Sequence, residues 1–403
     1  MLTTQHSYQG KEELEVPQKS LPRRTAWASS LTQIFKIKID NKRIYGLDIL
    51  RASAILFVVF GHAAHLLPQT AEHLLRYFTF DGVSIFFVLS GFLIGGILIN
   101  TLEIRRPTIS VLFRFWSRRW IRTIPAYFLV LVILVLLNFT FAKHRGHPYF
   151  FTLMDLRYIV FSQNWYTPHP LFFQEAWSLC VEEWFYLLIP IMLFILTGWF
   201  GITPKRTVFS IAIVVISAVT IFRYLRFLHY PLITDLQWDL IFRKQVVTRL
   251  DSSMFGVIGA WAVYYYRDFC AARKKGLLWI GLILLGFQQV LSSMGVSRTP
   301  FYSCVFSFAV TSVGAVLLLP YLSDYNVKDG WFFKPLTLVS LISYSMYLLN
   351  LSVIQDYGGT FIRMRVSGSY YIQYLLFWVM TLMASALMYK YFEKPVMDLR
   401  KKL

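Results

Sequence analysis

The chain has 403 residues, 56% hydrophobic, 18% aromatic and 15% charged, with a mean hydropathy of +0.52. Apolar runs long enough to cross a bilayer recur from end to end, which excludes a soluble globular protein and reads as an all-α, polytopic membrane protein. The formal net charge of +19 does not mark a nucleic-acid partner: most of the 40 Lys and Arg fall on alternate connections between the apolar runs. That asymmetry is what the positive-inside rule requires and places both termini in the cytoplasm, in contact with anionic lipid.

Residues 1–43 are polar, lack the apolar core of a signal peptide and read as a cytoplasmic tail with at most a short interfacial helix over 27–39. Residues 44–392 form the transmembrane domain and 393–403 a short cytoplasmic tail. About ten spans are predicted, at 46–67, 82–101, 123–142, 177–200, 207–227, 249–267, 277–294, 301–322, 336–355 and 371–391.

The first span carries Arg51 and His62. Each is costly in lipid, so an intramembrane pair points to function. Eleven residues at about 100° each bring both side chains to one helix face, about 16 Å apart along the axis. In the second span, Ser90 and Gly91 permit either close helix packing or passage of a thin substrate chain.

The connection that follows holds Arg105, Arg106, Arg114, Arg118, Arg119 and Arg122. Such a cluster either sets topology or captures polyphosphate. Arg118 and Arg122, four apart, share a helix face suited to bidentate contacts. The longest external loop, 143–176, leads into WSLCVEEWFY at 177–186. Glu182 and Glu183 enter the fourth span at about the depth of His62, so a carboxylate–imidazole pair is expected from Glu182, while Glu183 reads as a packing contact. Arg249 and Asp251 open the sixth span, where they are expected to neutralise one another or support the site. Tyr344, Tyr347 and Asn350 follow a three-residue step along the ninth, where the hydroxyls serve the site or make interhelical hydrogen bonds. The three cysteines, Cys180, Cys270 and Cys304, fit neither a disulfide framework nor a zinc site, and no metal is expected. No glycine-rich phosphate loop or GxSxG elbow is present.

Taken together, GLDILR at 46–51 with His62, SGFLI at 90–94, Arg118 to Arg122, the 177–186 block, RLDSSMFG at 249–256, ISYSMY at 342–347 and EKP at 393–395 resemble the acyltransferase 3 family, in family order over 44–396. The resemblance implies ten or so core helices and transfer of an acyl group, commonly acetyl, from cytoplasmic acyl-CoA to a carbohydrate hydroxyl on or across the membrane. It assigns the family's Arg–His pair to Arg51 and His62, its basic motif to Arg119 and Arg122, and its acidic motif to Glu182. Two departures stand out: Asn350 where the family often has His, and Cys180 and Trp184 where it has Ser and Gln. The chain is expected to be the single-domain form, without an SGNH-type hydrolase domain after the last span.

These readings combine into one expectation. Acyl-CoA, with acetyl-CoA the expected donor, is a substrate and no cofactor is permanently bound. Its phosphates sit on Arg118, Arg119 and Arg122, and its arm runs past Ser90 and Gly91. His62 acts as general base or acyl carrier, oriented by Glu182, with Arg51 on the donor. The expected location is the bacterial cytoplasmic (inner) membrane, and the expected partners are lipid, acyl-CoA and a carbohydrate acceptor. The alternative is a transporter or flippase for a polar or acylated solute, with the same residues lining its path. A structural scaffold poorly explains a buried Arg and His.

Overall fold

The computed structural model describes residues 43–145, 153–230, 233–326, 331–359 and 369–399; the expected helix over 27–39 lies outside them. No strand occurs among these residues. The principal helices are α1 (Tyr45–Ala63), α2 (Gln69–Phe78), α3 (Gly82–Ile104), α4 (Ile109–Arg145), α5 (Ala176–Gly198) and α6 (Pro204–His229). They are followed by α7 (Leu250–Tyr265), α8 (Arg267–Ser293), α9 (Ser307–Leu322), α10 (Phe333–Leu349) and α11 (Tyr370–Met388).

Eight helices among the described residues are long and apolar enough to cross a membrane. The other two predicted spans are present as α7 and α9, which are 16 residues each, about 24 Å of helix and short of the roughly 30 Å hydrocarbon layer. Both are largely enclosed by other helices: α7 packs on α3, α6 and α9. A short helix, Pro300–Val305, extends α9 beyond a break at Phe306. The predicted 68–81 connection contains α2, whose Leu74, Tyr77 and Phe78 are exposed, an amphipathic arrangement suited to the membrane interface.

Close helix approach explains two glycines. A Cβ on Gly91 would lie 1.9 Å from the Ser253 carbonyl oxygen of α7, and one on Gly256 would lie 2.0 Å from the Val88 oxygen of α3. Each helix therefore presses its backbone into a notch that the other leaves, a contact open only to residues without a side chain.

Two large apolar clusters make up most of the core, beside a smaller one around Phe242 and Phe308. One joins the later half of α1 to α4, α5, α10 and α11 around Val59, Tyr127, Trp177 and Met346. The second joins the first half of α1 to α3, α5, α6, α7 and α9 around Leu50, Leu89, Phe185 and Met254. α10 passes into a π-helical stretch, Asn350–Gly358, and α11 into another, Tyr389–Glu393, before a final helix, Lys394–Leu399. Glu393, expected at the start of a tail, is instead buried and accepts a hydrogen bond from Ser345 at 2.6 Å.

Candidate active site

A cavity opens between α1, α3, α4, α5 and α10. Its polar lining is Arg51, Ser90, Arg119, Arg122, Thr123, Ser178, Glu182, Ser343, Tyr344 and Tyr347. Five helices widely separated in sequence thus bring most of the predicted polar residues to one volume.

The basic wall is held in place from several sides. Asp48, one turn before Arg51, is 3% exposed; it binds Arg43, accepts from Ser340 at 2.7 Å and lies 3.8 Å from Arg51. Arg119 donates to the Tyr186 hydroxyl and reaches Ser90 Oγ at 3.4 Å, with its guanidinium 4.1 Å from the centre of the Tyr186 ring. Glu182 faces Tyr186, Ser90 and the guanidiniums of Arg119 and Arg122. A carboxylate among these groups offsets part of the positive charge that the arginines bring to the cavity.

Arg118 does not join this wall. It is exposed, outside the cavity lining; neighbours on a helix are 100° apart, so the face that turns Arg119 inward carries Arg118 away. Gly91 likewise does not border the cavity, because it is pressed against α7. Ser90 alone of that pair lines it.

His62 is the residue for which sequence reasoning chose the wrong partner. Its Nδ1 lies 2.6 Å from Asn350 Oδ1, and Glu182 is occupied with the basic wall. Equal depth in the bilayer does not determine azimuth, and it is the start of the π-helical stretch after α10 that reaches His62. His62 does not itself line the cavity; its partner Asn350 lies one turn beyond Tyr347, which does. Tyr347 is fixed there by donation to the Glu175 carbonyl at 2.9 Å and by its contact with Ser178 Oγ at 2.6 Å. Tyr344 donates to the Thr123 carbonyl at 2.8 Å. Glu183 accepts from Thr123 Oγ1 at 2.8 Å.

Arg249 and Asp251 do not pair. Residues two apart point about 200° away from each other on a helix. Asp251 binds Arg223 of α6 at 2.7 Å, and Arg249 donates to Ser84 at 2.5 Å with its guanidinium 4.2 Å from the Phe308 ring centre. Neither borders the cavity. Arg223 was the missed residue; an Arg inside the predicted fifth span was the signal that it needed a buried acid. Trp184, where the family has Gln, donates its ring N–H to the Phe161 carbonyl at 2.7 Å, and the Cys180 thiol reaches the same oxygen. The indole thereby supplies a hydrogen bond to the loop that precedes α5.

Residues 44–390 match the family model described as Acyltransferase domain. The chain belongs to the acyltransferase 3 family. It is 27% identical over 375 residues to the O-acetyltransferase OatA of Staphylococcus aureus (strain NCTC 8325 / PS 47), an alignment covering 87% of this chain and 57% of that protein. It is 33% identical over 173 residues to the peptidoglycan O-acetyltransferase OatA of Listeria monocytogenes serovar 1/2a, covering 40% of this chain and 26% of that protein. The chain thus spans a little over half the length of the staphylococcal relative. No solved structure matches it. Within this acyltransferase 3 domain, the two helices bearing the predicted Arg–His pair and basic motif, α1 and α4, both reach the cavity.

Proposed function

We propose that this acyltransferase 3 protein is a membrane O-acetyltransferase that moves an acetyl group from cytoplasmic acetyl-CoA to a hydroxyl of a carbohydrate outside the bacterial cytoplasmic membrane. The observation carrying this reading is the continuity of one cavity from Arg51, Arg119 and Arg122 to Tyr347, whose helix then delivers Asn350 to His62. Arg119 and Arg122 receive the donor's phosphates, and Arg51 adds charge from α1. The thioester arm passes Ser90 toward Tyr347. At the His62 end, the acceptor oxygen attacks the thioester carbonyl while His62 takes its proton; the C–S bond then breaks and the proton passes to the departing thiolate. A surface glycan of the peptidoglycan class is the acceptor favoured by the names of the relatives.

The test is acetyl-CoA turnover by the purified protein in proteoliposomes containing a muropeptide acceptor. Wild type is expected to cleave the thioester and yield the acetyl ester, and His62→Ala to lose roughly 10²- to 10⁴-fold in rate, the usual contribution of a positioned base. A transporter or flippase needs no thioester cleavage, so solute movement without turnover would replace the proposal with that reading.

A further inference from the structure

We infer that Asn350 fixes the tautomer of His62, holding the ring proton on Nδ1 and leaving Nε2 as the atom with the free lone pair. The argument needs only hydrogen-bond polarity. Asn350 is fully buried, and its Nδ2 donates to two backbone carbonyls of the preceding turn, Met346 at 2.8 Å and Tyr347 at 2.9 Å. Carbonyls accept and never donate, so both amide hydrogens are committed and the amide has one orientation. Turning it over would set Oδ1 against two carbonyl oxygens, which can only accept. The oxygen facing His62 can then only accept, so at 2.6 Å the ring nitrogen opposite it carries the hydrogen.

The arrangement is local to the point where α10 changes to a π-helix at Asn350. Two residues on, Ser352 N–H is drawn to the Glu175 carboxylate at 3.2 Å, so the π stretch is pinned to the start of α5 as it presents Asn350 to α1. Charged groups that act on the ring are Arg243, Lys244 and Asp239, all in the segment before α7. None supplies the Nδ1 partner, and His65 bonds the His62 carbonyl instead. Asn350 is therefore a positioning residue. Its catalytic consequence, that Nε2 receives the acceptor's proton, rests on the function proposed above; the tautomer does not.

The test is 15N NMR of the full protein labelled at histidine, with the His62 signals identified by their loss in His62→Gln. Wild type is expected to show a protonated Nδ1 and an unprotonated Nε2. In Asn350→Leu, which removes the acceptor, the signals are expected to split between the two tautomers, and kcat to fall by roughly 10²-fold or more with KM for acetyl-CoA unchanged. A wild-type ring protonated on Nε2 overturns the inference without recourse to any Asn350 variant, as does an Asn350→Leu spectrum identical to wild type. A protonated Nδ1 together with undiminished transfer by His62→Gln upholds the tautomer and refutes the proposed chemistry.

Discussion

Arg223 of α6 and Asp251 of α7 lie 2.7 Å apart with neither side chain exposed. Arg223 also donates to the Thr248 carbonyl at 3.0 Å, so it ties together the entry into α7 and its first turn. Removing one member leaves the other charged and dry, a loss of about 3–5 kcal/mol, whereas replacing both with apolar groups of similar size is close to neutral. Asp251→Asn and Arg223→Met alone are expected to lower thermal stability in detergent sharply, and the Arg223→Met/Asp251→Leu double variant to recover most of it. Additive losses in the double variant would contradict the account.

The basic wall divides arginines that sequence spacing groups together. Arg119→Lys and Arg122→Lys keep the charge and lose the planar fork; each is expected to raise the KM for acetyl-CoA several-fold. Arg118→Lys, at an exposed position outside the cavity, is expected to leave it unchanged. Steady-state kinetics on the three variants decides, and an effect confined to Arg118 would reverse the assignment.

Gly91 and Gly96 lie on the same helix in different surroundings. A Cβ at Gly91 meets the Ser253 carbonyl oxygen at 1.9 Å, and at Gly96 it meets nothing within 4 Å. Gly91→Ala must push α3 and α7 apart, at a cost of at least about 1–3 kcal/mol for overpacking. Gly96→Ala is expected to be neutral or slightly stabilising through helix propensity. Melting temperatures of the pair check this directly, and equal values would argue against the close backbone contact.

Glu175 lies just ahead of α5, where burial lifts its carboxyl from 4.5 to about 8 against the opposing hydrogen bonds from Ser352. The folded protein therefore keeps a proton that the unfolded chain releases. Its contribution to stability is complete below pH 4.5, declines as pH rises and is gone above about 8. Glu175→Gln is expected to flatten the fall in stability across that window, as measured by thermal unfolding over a pH series. A slope identical to wild type would exclude Glu175 as its source.

Orientation carries the proposed direction of transfer. Single cysteines at Ser20, Ser117 and Thr167 in a cysteine-free background are to be treated with an impermeant thiol reagent on intact cells or spheroplasts. Thr167 alone is expected to react, since the positive-inside rule puts the other two in the cytoplasm. Labelling of Ser117 before lysis would place Arg119 and Arg122 away from cytoplasmic acetyl-CoA.

The sequence by itself determined the class of molecule, the rough placing of the spans and the residues worth watching, because each of these is a property of one helix. The helices at Ile109–Arg145 and Arg267–Ser293 nevertheless begin well before the predicted 123 and 277. Lipid penalises every buried charge, so Arg51, His62 and Glu182 were conspicuous before any packing was known. Tertiary structure decided which residues meet. Helical spacing aligns Arg51 with His62 but is silent on the azimuth of α5 against α10, so Asn350 rather than Glu182 reaches the ring. It permits Arg118 or Arg119 to face inward, and only the packing of α4 turns Arg119 to the cavity. It sets Arg249 and Asp251 on divergent directions, and only α6 supplies the missing partner, Arg223. Side-chain pairing between spans depends on rotation about each helix axis, which is settled by contacts such as Gly91 on Ser253 that no single segment contains.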